Sequence, residues 1–229
     1  MIEVVAIIKY TTAKRCHLLR LSLFQRFLYF GLAFLILYIE QLPAIYLGTK
    51  STNLIIFLIL IMLLISEATL FLGKHLGLLE GFKLLNSKKA WGAICLTCLG
   101  ILLVAKIGTI VMIEEGITNT ANQKVLESIH MNPIILITRS VIMAPIVEEL
   151  VFRGLLMTRV FNSNSIVGLI VSSFLFGLVH IPNSVGAWII YGGMGVALAT
   201  VYRTTKKLEY SIMAHMINNT LAVSMMLFL

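Results

Sequence analysis

Three charged residues cluster in a largely apolar stretch of membrane length between residues 133 and 158: Glu148, Glu149 and Arg153. A charged side chain at bilayer depth costs at least a few kcal/mol unless it finds a partner. Two histidines, His180 and His215, lie farther along the chain, each also in an apolar stretch. Acidic, basic and hydrogen-bonding groups in such places indicate acid–base chemistry inside a membrane, of the kind that hydrolyses a peptide bond.

The spacing of the three charged residues predicts a different role for Glu148 than for Glu149 and Arg153. Successive helical residues are rotated by about 100°, so Glu148 and Glu149 point in different directions. Glu149 and Arg153 are separated by one helical turn and are predicted to form an ion pair. Glu148 is then left to face a cavity, where a carboxylate can act as a general base. A single Glu–Arg pair would indicate only a structural salt bridge, but structure does not require the second glutamate.

The remaining polar candidates are two histidines and an asparagine. His180 closes the sequence Phe176-Gly-Leu-Val-His180, and taken alone a histidine in an apolar helix is more often a core residue than a functional one. His215 and Asn219 are one turn apart and share a helix face. An imidazole and a carboxamide are suitable hydrogen-bond donors for the oxyanion of a tetrahedral intermediate.

The composition predicts the kind of helices that hold these residues in position. The chain has 229 residues, of which 59% are hydrophobic and only 12% are charged, which predicts an all-α, polytopic membrane helix bundle in one integral domain. About seven transmembrane helices are predicted. Their apolar runs cover roughly 27–47, 53–73, 90–113, 133–158, 165–182, 185–202 and 210–228.

Charge predicts the orientation of the bundle and excludes one class of partner. The net charge is +8, but the basic residues concentrate between apolar runs, so nucleic-acid binding is not expected. The positive-inside rule places the amino terminus in the cytoplasm. We divide the chain into an amphipathic cytoplasmic segment (1–26), amino-terminal transmembrane helices (27–120) and a catalytic helical core (121–229), in which 121–131 is a short interfacial helix.

The late motifs resemble those of a known family. Glu-Glu-x-x-x-Arg, Phe-x-x-x-His and His-x-x-x-Asn, in this order on consecutive helices, are similar to the motifs of CPBP intramembrane proteases. That family includes type II CAAX prenyl endopeptidases and bacterial proteins of bacteriocin processing or self-immunity. The resemblance runs from about residue 133 to the end of the chain. The compact, basic chain looks more like a bacterial member.

The resemblance implies an intramembrane endopeptidase that acts on a membrane-associated peptide or protein. Glu148 and His180 would activate the attacking water, and His215 and Asn219 would stabilise the oxyanion. Glu149 and Arg153 match the remaining charged positions, with a supporting role. No cofactor is expected. The alternative is a zinc ion held by Glu148, His180 and His215 with an open fourth position.

Absent residues narrow the type of protease. The sequence contains no Asp, no His-Glu-x-x-His and no Gly-x-Ser, so two-aspartate, site-2-type zinc and rhomboid-type serine enzymes do not fit. Two other functions remain open. One is a non-catalytic membrane immunity or regulatory protein of the same fold, and the other is a small transporter that uses Glu67, Glu148 and Glu149.

The sequence does not determine whether the candidate site residues lie at the same depth in the membrane. Counting about 1.5 Å per residue puts Glu148 and His215 nearer the cytoplasmic ends of their helices and His180 near the outer end of its own. A common site therefore requires a tilted or displaced fifth helix, or a 159–164 connection that dips into the bundle. Glu40 and Arg139 lie nearer the ends of their spans, where they can extend to the surface, and structural pairing is favoured for both.

Overall fold

The computed structural model describes residues 21–228, which form helices joined by turns and contain no strand. The predicted all-α membrane helix bundle is confirmed, and its helix number is compatible with the predicted seven. Residues 1–20 of the predicted cytoplasmic segment lie outside the described residues. The helices, numbered here in chain order, are α1 Leu23–Gln41 with a 3₁₀ continuation Leu42–Tyr46, α2 Thr52–His75, α3 Lys88–Glu114, α4 Ala121–Ser128, α5 133–161, α6 Ile166–Val179, α7 Val185–Thr205 and α8 Leu208–Phe228.

Five of these helices are long and apolar enough to cross a membrane: α1 with its continuation, α2, α3, α7 and α8. Helix α1 begins at Leu23, four residues before the predicted span. Ser22 and Gln25 form a reciprocal capping box there, in which the Ser22 hydroxyl accepts from the Gln25 N–H at 3.2 Å and the Gln25 amide oxygen accepts from the Ser22 N–H at 2.9 Å. The cap satisfies two backbone donors that a helix start leaves free.

Helix α5 is the centre of the bundle. Residues 143–158 are all buried except Glu148, and α1, α2, α6 and α8 pack around them. A helix that is apolar on every side is normally enclosed by other helices, and the continuous run of buried side chains fits that rule. The sixteen-residue stretch therefore has no lipid-facing side, and its charged residues must find partners on neighbouring helices.

Two π-helical segments interrupt α5. Pro133–Ile137 and Ala144–Glu149 are α-helical, whereas Thr138–Met143 and Leu150–Phe161 are π-helical. In an α-helix the ring of Pro145 would collide with the carbonyl group four residues earlier. The wider π register before the proline avoids that collision, and such segments are frequent at functional sites.

Helix α6 is shorter than the predicted span 165–182. Its 14 residues, Ile166–Val179, rise only about 21 Å, against a hydrocarbon core of about 30 Å. His180 follows directly as the C-cap residue, and Ile181 then turns the chain with φ 51°. Helix α6 therefore ends three residues before the end of the predicted span.

Charged side chains separate the two faces of the bundle. One face, here called the basic face, carries the start of α1 and the connections before α3, α6 and α8, with residues Arg26, Lys74, Lys83, Lys88, Lys89, Arg203, Lys206 and Lys207. The opposite face carries the connections after α1, α3, α4 and α6, together with α4 itself. This grouping follows the predicted alternation of basic and acidic loops.

Glu115, on the opposite face, ties the end of α3 to the start of α7. Its carboxylate accepts hydrogen bonds from the backbone N–H groups of Val185 at 2.9 Å and Gly186 at 3.1 Å. An anion at a helix amino terminus meets unsatisfied N–H groups and a favourable dipole. The hydrogen bond from Gly186, followed by those from Val185 and Ser184, holds the pKa of Glu115 below its ordinary value.

Replacing Glu115 by Gln is expected to lower the thermal unfolding temperature of the detergent-solubilised protein by a few degrees at pH 7. A carboxyl group with a lowered folded-state pKa stabilises the fold above its ordinary pKa of about 4.3, and this stabilisation is lost as the pH falls through the lowered value. The difference between variant and wild type should therefore shrink steadily as the pH falls below the ordinary pKa. Glu114→Gln removes the same charge one residue earlier and serves as the control; an equal effect there would contradict the capping role.

Candidate active site

Four predicted site residues from three helices line one cavity. Glu148 of α5, His180 at the end of α6, and His215 and Asn219 of α8 all lie on the walls of a cavity of about 420 Å³. Residues 118–123, which connect α3 to α4 and begin α4, also line it, so the cavity reaches the opposite face. Residues separated by up to 71 positions in sequence are thus brought to a common polar space in the membrane interior.

Glu149 is the centre of a fully buried polar cluster beside this cavity. Its Oε1 accepts from Arg153 Nη1 at 2.9 Å and from His215 Nδ1 at 3.0 Å, and its Oε2 accepts a short hydrogen bond from the Ser211 hydroxyl. The ion pair predicted from the i, i+4 spacing is present. The two α8 partners could not be read from that spacing, because they depend on how α8 packs against α5.

Arg153 extends this cluster to α7. Its Nη2 donates to the Gly195 carbonyl at 2.9 Å, and its guanidinium lies 4.5 Å from the centre of the Phe176 ring. Gly195 also allows α7 to pack closely against α6, because a Cβ atom there would lie only 2.8 Å from the Ser173 carbonyl oxygen of α6.

His215 lies between the two glutamates. Its Nδ1 bonds to Glu149, whereas its Nε2 is 3.9 Å from Oε2 of Glu148. A carboxylate can only accept, so Nδ1 carries a proton and the tautomer is determined. Oε2 of Glu148 is buried and has no hydrogen-bond partner, which leaves it available to a water molecule or substrate.

His180 is held by backbone and aromatic contacts. Its Nδ1 lies 2.8 Å from the Phe176 carbonyl oxygen, and its ring stacks on Tyr191 with the ring centres 4.5 Å apart. The Phe176 ring lies 4.8 Å from the His180 ring and 5.6 Å from the His215 ring. Phe176 therefore separates and orients both imidazoles, which gives the Phe-x-x-x-His spacing a structural reason.

Asn219 is oriented by the irregular backbone of α5. Its Nδ2 donates to the Ser140 carbonyl at 2.8 Å. In the π register that carbonyl would accept from the N–H of residue 145, but this residue is Pro145 and has no N–H. The free acceptor is used by Asn219, whose second amide hydrogen remains for another partner.

The side chains proposed for a zinc ion do not form a metal centre in this arrangement. Among residues 21–228, no group of three His, Cys or acidic side chains is placed to hold a metal ion. Glu148, His180 and His215 share the cavity, but zinc ligands must all approach the ion within about 2.0–2.2 Å. The residues as placed therefore do not fit a His₂Glu zinc site.

Sequence reasoning missed a second polar group on the cavity walls. Glu40 is only 2% exposed, although its position near the end of α1 predicted a side chain that reaches the surface. Together with Gln41 and Arg139 it lines a second cavity of about 570 Å³, which also includes Glu148 and His180. The only signal in the sequence was the presence of charges near two span ends, which is common and unspecific. Glu67 and Lys106 are exposed and line neither cavity.

Comparisons with known proteins include the part of the chain that carries this site. Residues 130–221 match the family of type II CAAX prenyl endopeptidases, Rce1-like. YdiL of Bacillus subtilis (strain 168), described as a membrane peptidase, is 32% identical over 106 residues, which are 46% of this chain and only 42% of that protein. The membrane-embedded CAAX protease MroQ of Staphylococcus aureus (strain USA300) is 28% identical over 209 residues, 82% of this chain and 81% of the relative. No solved structure matches.

These comparisons confirm the resemblance drawn from the motifs and support a membrane endopeptidase at the level of the family. The matched range 130–221 contains the six predicted site residues Glu148, Glu149, Arg153, His180, His215 and Asn219. Both relatives are bacterial, and both are named as membrane proteins. This agrees with the five helices of the described residues that are long and apolar enough to span a membrane.

Proposed function

We propose, from the likeness of residues 130–221 to the Rce1-like endopeptidases, that this chain is an intramembrane endopeptidase that hydrolyses a peptide bond in a membrane-associated peptide or protein. One observation carries the proposal. Of residues 143–158, Glu148 alone is not fully buried, and it faces a cavity shared with His180, His215 and Asn219. Its Oε2 has no hydrogen-bond partner and can accept from a water molecule.

Glu148 and His180 activate that water. Nδ1 of His180 must donate to the Phe176 carbonyl, because a carbonyl oxygen only accepts. Nε2 of the neutral ring then carries a lone pair and can accept a hydrogen bond from the water. Glu148 takes the proton as the water oxygen attacks the scissile carbonyl carbon, and it returns a proton to the leaving nitrogen when the C–N bond breaks.

His215 and Asn219 stabilise the oxyanion that forms on the scissile carbonyl. The Glu149 carboxylate holds the Nδ1 proton of His215, and Nε2 of the same ring lies 3.9 Å from Oε2 of Glu148. In the proposed step His215 donates through an Nε2–H, and the free amide hydrogen of Asn219 is the second donor.

Glu149 and Arg153 support the site without touching the substrate. They bring α5, α7 and α8 together through Gly195, Ser211 and His215, and they determine the tautomer of His215. Groups that orient a reacting histidine in this way are as important to a site as its direct contacts.

The proposed location is the cell membrane of a bacterium, with the amino terminus and the basic face in the cytoplasm. The concentration of Lys and Arg on that face supports this orientation. The partners are the lipid bilayer and a peptide or protein substrate. The cavity then reaches the outer side of the membrane through residues 118–123.

The test is cleavage by the full chain reconstituted in vesicles of phosphatidylethanolamine and phosphatidylglycerol. The probe is a pool of short, internally quenched peptides composed of Leu, Val, Phe, Ser and Asn, and its most rapidly cleaved member is called the reporter peptide below. We expect cleavage above that of protein-free vesicles, and a rate that a chelator changes by less than about twofold. Absence of cleavage would refute the function. Loss of activity on chelation, restored by zinc, would replace the metal-free mechanism.

A further inference from the structure

The two cavities described above share a charged side chain that the proposed mechanism does not use. Arg139 of α5 lines both of them, together with Glu148, His180, Asn122 and Leu126. The second cavity is bounded by α1, α4 and the end of α6, and the side chains that belong to it alone are mostly apolar, such as Leu37, Leu47 and Val125. The exceptions are Glu40 and Gln41.

Glu40, Gln41 and Arg139 form a hydrogen-bonded chain. Arg139 Nη2 donates to Gln41 Oε1 at 3.1 Å, and Gln41 Nε2 donates to Glu40 Oε2 at 3.1 Å. The Gln41 amide has only one possible orientation here, because reversal would direct its NH₂ group at a guanidinium and its oxygen at a carboxylate. Gln41 thus connects a buried anion to a cation and holds the guanidinium in place.

The guanidinium still has donors to offer. Nε of Arg139 is buried and has no hydrogen-bond partner, as is also true of Oε2 of Glu148 on the same cavity walls. A buried donor left without an acceptor is unfavourable by about 1–3 kcal/mol, more for a charged group, so an occupant that supplies the acceptor is stabilised. The carboxyl groups of Glu40 and Glu148 on the same cavity walls disfavour an anionic occupant, so a neutral carbonyl oxygen is the acceptor that fits.

We propose that Arg139 is a substrate-positioning residue that donates to a backbone carbonyl of an extended peptide passing from the second cavity into the first. The inference rests on the proposed function. The peptide carbonyl satisfies the free guanidinium donors at the junction, and the next peptide unit then lies over Glu148 and His180. Gln41 acts through Arg139, because its contact with the guanidinium fixes the direction of the donors.

The test measures kcat and KM of the full chain in the same vesicles with the reporter peptide. Arg139→Gln is expected to raise KM about tenfold while kcat stays within about twofold, because binding common to ground state and transition state is lost. Arg139→Lys keeps the positive charge but lacks the several donors of a guanidinium. Its KM should therefore lie between those of the wild type and Arg139→Gln. Arg203→Gln is the matched control, since Arg203 bonds to the Asn164 carbonyl on the basic face.

Gln41→Leu should raise KM about threefold by itself and add nothing in the Arg139→Gln background, as expected for residues that act as one unit. Additive effects, a fall in kcat at unchanged KM, or wild-type kinetics for Arg139→Gln would each overturn the proposal. Thermal unfolding identifies a variant that is merely misfolded.

A second experiment measures binding and needs no turnover. The affinity of the least-cleaved peptide of the same pool is compared between the Glu148→Gln variant and the Glu148→Gln/Arg139→Gln double variant. A tenfold weaker affinity of the double variant supports the inference even if the wild type cleaves nothing, which would refute the proposed function alone. Equal affinities overturn the inference.

Discussion

Replacing Glu148 by glutamine is expected to lower kcat for the reporter peptide by about 10³-fold, within the range that a positioned general base contributes. The amide has nearly the same shape as the carboxylate but cannot take a proton from water. Oε2 of Glu148 has no hydrogen-bond partner, so no hydrogen bond is lost with the charge, and the affected contact with Nε2 of His215 is long at 3.9 Å. The loss should therefore fall on turnover, with the thermal unfolding temperature nearly unchanged.

The matched control is Glu67→Gln, which changes another glutamate within a span. Glu67 is exposed on α2 and lines neither cavity, so we expect its kcat to stay within about twofold of the wild type. More than a tenth of wild-type activity in Glu148→Gln would refute the assignment of the base. A cellular role that Glu148→Gln still fulfils would instead favour a non-catalytic protein of this fold.

Replacing Arg153 by methionine is expected to destabilise the bundle by about 3–5 kcal/mol, the usual result of removing one partner from a buried ion pair. Methionine has a similar length and preserves the packing against Phe176. The carboxylate of Glu149, which is fully buried, would lose its cationic partner on α5, and α5 would lose its hydrogen bond to the Gly195 carbonyl. The measurement is unfolding of the solubilised protein by denaturant, followed by circular dichroism.

The double variant Glu149→Gln/Arg153→Met is the control for this second prediction. Without the charge on residue 149 no unpaired carboxylate remains, so more than half of the lost stability should return. An Arg153→Met protein as stable as the wild type would mean that His215 and Ser211 alone compensate Glu149. In that case the ion pair would have no structural role.

Local patterns in the sequence were sufficient for much of this site. The i, i+4 spacing of Glu149 and Arg153 predicted an ion pair that the structure contains, and the apolar runs predicted the helices. The shared face of His215 and Asn219 followed from the helical period, and both line the cavity. These inferences succeeded because each depends on one helix, whose geometry its own sequence dictates.

Other features depend on contacts between helices and could not be predicted in this way. The hydrogen bond from Asn219 to Ser140 arises because Pro145 disturbs the register of another helix. The burial of Glu40 depends on how α1 packs beside α5. The predicted span 165–182 was too long because hydrophobicity continues past Val179, where α6 ends. The length of an apolar run predicts that a segment lies in the membrane, but it does not predict the residue at which the helix ends.

The enclosure of residues 143–158 has a consequence for biogenesis. A charged side chain at the centre of a helix costs about 2.5–3.5 kcal/mol on insertion into lipid, and this stretch carries three of them. Glu149 and Arg153 pair within α5, but their further partners Gly195, Ser211 and His215 belong to α7 and α8, which leave the ribosome later. The segment must therefore wait in the insertion machinery or beside water until the final helix is synthesised, and a chain truncated before α8 presents an incompletely paired cluster to the quality-control proteases of the cell.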